Sequence, residues 1–290
     1  MTATHDGVAA PSTIEEPAPP PAQRRKRKAS DYIAPVLGLI AFVGIWYLAH
    51  YWALENLWDK PRFLITAPHR VVNESFLDTD NLSDLLDALF YTAFVAFLGL
   101  ALAIVVGMFL AICMAQATWL ERSMWPYLVA VQAIPILALV PIIGSIFGFG
   151  RGSRVFVCFL IAVFPIVSNT LFGLLSADRG QHDLFTLRGA SRFTRLWKLQ
   201  LPGAMPAIFT GFRISAGLSV IGAIVGEQFF RQGQKPGIGI LMDTYRSRNN
   251  YPLTYGALIL TAVLGISVFV FFGWLGNLVV GRWHETTRKG

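Results

Sequence analysis

The chain has 290 residues, of which 54% are hydrophobic and only 14% charged, and its mean hydropathy is +0.53. A soluble domain of this length carries about a quarter charged residues, so most side chains here meet lipid or one another and a water-soluble protein is excluded. The net charge of +7 does not point to nucleic acid, because five of the cations form one block, Arg24 to Lys28, directly before the first apolar run, where basic residues set topology.

Residues 1–30 are rich in Pro, Ala and Glu, hold too little apolar surface to fold, and read as a disordered cytoplasmic tail. The apolar run from Ile33 to Leu54 has spanning length and no small-x-small cleavage site at its end. It is expected as a retained first helix within 31–87, not a removed signal. Five further spans fall near 88–112, 125–149, 154–176, 205–226 and 255–280, inside a core of 88–282, with a cytoplasmic C-terminus at 283–290. Lipid offers the backbone no partners, so these spans are expected as helices and the fold class as an all-α polytopic membrane protein with six transmembrane helices. Pro135 and Pro141 in the third span and Pro165 in the fourth predict kinks. Cys113 and Cys158 sit in apolar segments, and the five histidines are scattered, so neither a disulfide framework nor a metal site is expected.

With the N-terminus inside, cytoplasmic segments hold 14 of the 24 lysines and arginines and external segments nine, with Arg213 inside the fifth span. The external segment 55–87 also carries seven acids against three basic residues. The bias places both termini, and the loop 177–204, in the cytoplasm.

That loop reads as two short helices. Asp183 is placed to cap the first, which runs through Leu184, Phe185 and Leu187. Gly189 suits a left-handed C-terminal cap, Ser191 starts the second helix and Pro202 ends it. Phe193, Leu196 and Trp197 share one face, with Arg192, Arg195 and Lys198 on the rest. Such a hairpin fits an interfacial helix among lipid headgroups, a polybasic lipid sensor, or a docking knob for a cytoplasmic partner.

The spacing narrows the choice. From Gly189, nine residues lead to Leu199, Gln200, Leu201 and Pro202. The pattern G-x9-L-x-L-P resembles the coupling-loop signature of permease subunits of bacterial ABC importers, E-A-A-x3-G-x9-I-x-L-P. "AIPILALVPIIGSIFGFG" (133–150), "FPIVSNTLFG" (164–173), "LPGAMPAIFTGFR" (201–213), Val225–Glu227 and Gly237–Gly239 resemble the nitrate/sulfonate/taurine branch in the same order. "FLITAPHRVV" (63–72) is similar to its pre-span motif, with Ile65 or Thr66 where a proline is usual. Asp183, Leu184 and Phe185 stand at the Glu-Ala-Ala positions, so a Phe185 knob calls for a partner groove with smaller lining residues.

The resemblance implies a short cytoplasmic coupling helix between the fourth and fifth spans of an inner-membrane permease. Its ATPase-coupling residues are Asp183, Leu184, Phe185, Thr186, Leu187, Arg188, Gly189, Ala190, Ser191, Leu199, Leu201 and Pro202. It implies a cytoplasmic ABC ATPase dimer, an extracytoplasmic solute-binding protein and a second permease copy as partners, besides membrane lipid. No cofactor is expected on this chain, since ATP and Mg would sit on the ATPase. The resemblance implies a small anion as solute, such as nitrate, bicarbonate, a sulfonate or taurine. The alternatives are a heteroaromatic vitamin precursor, or an ion-coupled carrier.

The residues speak against that last alternative. The span interiors contain no Asp or Glu, so no proton relay is visible. No G-x4-G-K-[ST] sequence and no protease constellation occurs either, and the chain is expected not to be an enzyme. Mid-span Gln132, Ser168, Asn169, Ser215 and Ser219 are candidates for lining a solute path, or for joining helices by hydrogen bonds. Glu227 is a candidate gate at the external mouth, or a helix-end hydrogen-bonding group. Gly211, Gly217, Gly222 and Gly226 read as close-packing positions. Segment 227–254 contains a short surface helix by its pattern.

Overall fold

The computed structural model describes residues 30–57, 59–232 and 235–281, and every regular element among them is helical. The expected tail through residue 29 and the C-terminus 283–290 lie outside the described residues. α1 (Ser30–Leu48) passes through a π turn at Ala49–Ala53 into the short α2 (Leu54–Asn56). Its apolar side chains Ile33, Leu37, Ile40 and Ile45 are exposed, as lipid-facing residues are.

From Trp46 onward the chain forms a compact unit of its own. Three successive carbonyls after α2 are tied down: Tyr255 Oη donates to Leu64 O at 2.9 Å, Trp46 Nε1 donates to Thr66 O at 3.0 Å, and His50 Nδ1 lies 2.5 Å from Ile65 O. Pro68 then opens α3 (Pro68–Val72), a position where its missing N–H is no loss. Asp78 caps α4 (Thr79–Gln116) by accepting from the amides of Asp80 and Asn81, both at 3.1 Å.

The third apolar stretch is two helices, α5 (Thr118–Ala133) and α6 (Ile136–Phe147), meeting at 99°. The expected kink is thus a break, because Pro135 is extended and caps α6 where it would have had to continue α5. α7 (Arg151–Leu175), by contrast, is one continuous helix through Pro165. Side chains answer carbonyls around the proline: Ser215 Oγ donates to Ala162 O at 2.6 Å in the turn the proline weakens, and Asn169 Nδ2 donates to Pro165 O at 2.8 Å.

Two short helices, α8 (Arg179–Leu187) and α9 (Arg192–Arg195), precede α10 (Leu201–Phe229), which is followed by α11 (Ile238–Ser247) and α12 (Tyr251–Val280). α11 is the short helix expected within 227–254. Five described helices are long and apolar enough to cross a membrane, and up to six if the bent pair is one span.

α7 and α10 form the centre, and they approach closely because small residues line the seam. A Cβ on Gly211 would stand 2.9 Å from Pro165 O, and one on Gly222 2.9 Å from Cys158 Cα. Gly226 abuts Arg154 similarly, whereas Gly217, read from sequence as a packing position, faces open space. Leu100, Ala103, Ala162, Ile166, Val167 and Ala216 fill the middle of the α4–α7–α10 core.

Candidate functional site

One end of the bundle carries the hairpin of α8 and α9. Asp178 caps α8, its carboxylate accepting from Gly180 N at 3.2 Å. Asp183 lies inside the helix and does not take the capping role expected of it, because the helix begins a turn earlier. Its end is a Schellman closure: Ala190 N donates to Phe185 O and Gly189 N to Thr186 O, both at 2.9 Å. Gly189 sits at φ +66°, a conformation that costs an L side chain about 1 kcal/mol or more. Ser191 then caps α9, accepting from Thr194 N at 3.2 Å, and Arg195 Nη1 reaches back to Thr186 Oγ1 at 3.3 Å to join the two arms.

Pro202 does not end this second arm. A π turn, Leu196–Gln200, closes with Leu201 N donating to Leu196 O, and the helix continues through Pro202 into α10. The longer hydrogen-bond step leaves room at the carbonyl that the proline ring would otherwise meet. The run from Arg192 to Phe229 is one helix of 38 residues. The arm and the span that follows it are therefore one continuous helix.

The hairpin's apolar residues divide sharply. Leu196 and Leu201 are buried with Leu174, Ala204 and Ile208, against Met108 and Ile112 of α4. Gln116 Nε2, at the end of α4, donates to Gln200 Oε1 at 2.9 Å. Leu184, Leu187, Phe193 and Trp197 are instead 61%, 85%, 70% and 57% exposed, the last two with ring centroids 5.9 Å apart. Phe185, the bulky residue expected as the knob, is half-buried beside the Schellman closure. Thr186, Arg188 and Asp183 are exposed, Ala190 and Leu199 half-buried, and Pro202 exposed.

At the α5–α6 break, Gln132, Pro135, Leu139, Leu160, Phe164 and Leu218 line a cavity of about 440 Å³ with no charged residue on its wall. Of the six residues expected on a solute path, Gln132 alone is exposed here. Asn169 and Ser215 bond to α7 carbonyls as described, Ser168 Oγ stands 3.4 Å from Pro165 O, and Ser219 Oγ donates to Ala216 O at 2.8 Å.

The far end of α10 holds Glu227, fully buried. Thr92 Oγ1 lies 2.8 and 3.1 Å from its two oxygens, and Gly239 N donates to it at 2.9 Å. The same threonine oxygen accepts from Ile238 N at 2.8 Å. A Cβ on Gly237 would overlap the carboxylate, so only glycine lets the backbone cross there. Arg154 is also fully buried; its Nε donates to Phe230 O at 2.7 Å and its guanidinium carbon lies 5.7 Å from the centroid of the Tyr91 ring, while Nη1 and Nη2 make no hydrogen bond among the described residues. Glu227 thus clamps the start of α11 to α4 and α10, and Arg154 ties α7 to the chain leaving α10. Sequence reasoning counted Arg154 only as an external charge. Its position directly before the apolar run that starts at Val155 was the available signal.

A central pair of packed helices, a broken span and a hairpin continuous with the next span form the frame in which the comparisons are informative. Residues 103–284 match the family described as binding-protein-dependent transport system inner membrane component. The chain belongs to that family. The matched stretch takes in the break, the hairpin and Glu227. This permease is 31% identical to the formylaminopyrimidine transport permease protein ThiX of Halalkalibacterium halodurans, over 88% of this chain and 97% of that one. It is 36% identical to the riboflavin transport system permease protein RibX of Chloroflexus aurantiacus, over 59% and 63%. Permeases named for nitrate, aliphatic sulfonates and bicarbonate match at 26–29% identity. A chain of the inward-facing MetNI methionine ABC transporter shares the fold, with a TM-score of 0.61 at 16% identity, covering 70% of this permease and 99% of that chain. The protein is therefore a multi-pass inner-membrane transport permease that works with a binding protein.

Proposed function

We propose that this permease, as one of two copies, forms the membrane path of an ATP-driven importer, with ATP and Mg held by a separate ATPase that grips the α8–α9 hairpin. The observation that carries this reading is the unbroken helix Arg192–Phe229, whose first turns present exposed Phe193 and Trp197, while α8, joined to it by Arg195 and Thr186, presents exposed Leu184 and Leu187. An apolar patch outside the apolar spans needs a covering partner, and a rod continuous with α10 carries a displacement of that partner into the bundle. The hairpin lies in the cytoplasm by the positive-inside bias, which puts the Glu227 end outside, toward a binding protein.

For the solute, the uncharged cavity at the α5–α6 break favours a neutral, planar heteroaromatic molecule. Gln132 supplies donors and an acceptor, Phe164 supplies a ring face, and no cation is present to hold an oxyanion. Relatives named for a formylaminopyrimidine and riboflavin support that class, and those named for nitrate, sulfonates and bicarbonate support the oxyanion alternative. The test is uptake into vesicles carrying the permease with its ATPase and binding protein. ATP-dependent accumulation of a labelled aminopyrimidine, unaffected by excess nitrate or taurine, is expected. Accumulation of the anions alone would reverse the solute assignment, and uptake without the ATPase would overturn the coupling role.

A further inference from the structure

Arg213 lies within the apolar part of α10, and neither the hairpin nor the uncharged cavity uses it. Its guanidinium carbon lies 3.8 Å from the centroid of the Phe269 ring. Phe209 faces Gly276 and Arg213 faces Gly273, so α10 and α12 run antiparallel along this seam. Between them opens a notch of about 210 Å³ whose wall includes Arg213, Thr210, Asn277 and the two glycines.

Stacking on a ring occupies the face of a guanidinium and leaves the N–H groups at its edge free. No acid answers them: α12 has none, α10 has none before Glu227, and Arg213 forms no ion pair among the described residues. In hydrocarbon, unanswered donors on a cation are costly. Thr210 adds a hydroxyl that now donates to Pro206 O at 2.8 Å and can turn toward an acceptor in the notch. Asn277 adds an amide one turn nearer the end of α12. Gly273 keeps the space open, since a Cβ there would stand 3.4 Å from Arg213 Cζ and Nε. The guanidinium lies about 10 Å along α12 from Val280, at 1.5 Å per residue, within reach of a headgroup that dips along the seam.

We propose that this notch is an oxyanion site at the α10–α12 seam, with the phosphodiester of an anionic lipid or free phosphate as its ligand. Basic pockets between spans bind lipid phosphates in this way. The proposal does not rest on the solute assignment, since notch and cavity have separate walls. It does couple to transport, because α10 is the rod that carries the hairpin.

Native mass spectrometry of the full-length permease, titrated with phosphatidylglycerol, phosphatidylcholine or inorganic phosphate, tests it. The wild type is expected to retain phosphatidylglycerol over phosphatidylcholine, with about tenfold weaker retention in Arg213→Gln, the size of one charge-assisted contact. Gly273→Leu keeps the charge and fills the notch, so it should lose the lipid as well. Retention of inorganic phosphate but not phosphatidylglycerol, sensitive to both variants, would assign the site to the free ion. Equal retention of both lipids by all three proteins, with no phosphate bound, would overturn the proposal.

Discussion

The two ends of α10 solve opposite problems. At the Glu227 end, two buried charged side chains are built into the fold: the Thr92 hydroxyl and the Gly239 amide donate to the carboxylate, and Arg154 reaches a backbone carbonyl. At the hairpin end the chain satisfies its own backbone through caps and a Schellman closure, yet leaves four large apolar side chains uncovered. A self-contained end is a place where the fold is held, whereas an uncovered end is a place where something else is received. One continuous helix joins them, and substitutions at the two ends should fail in different ways.

The sharpest test is at the held end. Glu227→Leu removes the acceptor for Gly239 N and leaves buried Arg154 without a nearby opposite charge. A loss of about 3–5 kcal/mol is expected, seen as depleted folded protein and a much lower melting temperature in detergent. Glu227→Gln, which keeps the shape and an acceptor, should recover most of it. Wild-type melting of Glu227→Leu would mean the clamp is not structural.

At the receiving end the expected signature is reversed. Leu187→Asp combined with Phe193→Asp should melt like wild type but lose ATPase capture and at least tenfold of transport, the scale of losing about 1.4 kcal/mol from an interface. Intact capture by that variant would place the docking surface elsewhere. Phe185→Ala should weaken capture less than Leu187→Ala, because Phe185 is half-buried.

Smaller effects refine the contrast. Gly189→Val forces a β-branched side chain into a positive φ, costing about 1–2 kcal/mol of hairpin order. Partial uncoupling of ATP hydrolysis from uptake is expected, with insertion unchanged. A double-mutant cycle on Gln116→Leu and Gln200→Leu should give a coupling of about 0.5–1 kcal/mol in melting experiments, typical of hydrogen bonds between spans. A zero coupling would mean that this contact does not help to hold the hairpin end to α4.

The smallest effect lies on α11. Asp243 is held below the usual carboxylate range by hydrogen bonds from Arg231 and Arg246, so its contribution is complete at neutral pH. It should fade only on acidification below about pH 4, as the carboxylate takes up its proton. Because the group is near the surface, Asp243→Asn should cost no more than about 1 kcal/mol.

Local properties were legible in the chain itself. Apolar length set the spans and ruled out a soluble fold, because hydropathy and helix rise act over about twenty neighbouring residues. The turn at Gly189 and the cap at Ser191 were readable for the same reason: each depends on residues within one helical turn. Pro202 misled because a π turn, which no residue type announces, admits proline inside a helix.

Tertiary structure decided everything that depends on distant partners. Glu227 is buried and hydrogen-bonded because Thr92, 135 residues away, points at it. Arg154 is interior and not an external charge because the chain at Phe230 folds back over α7. Leu196 is covered while Trp197, its neighbour on the same predicted face, is bare, since only one of them meets the ends of α4 and α7. Sequence prescribes which groups must find company in a membrane; packing alone chooses the company.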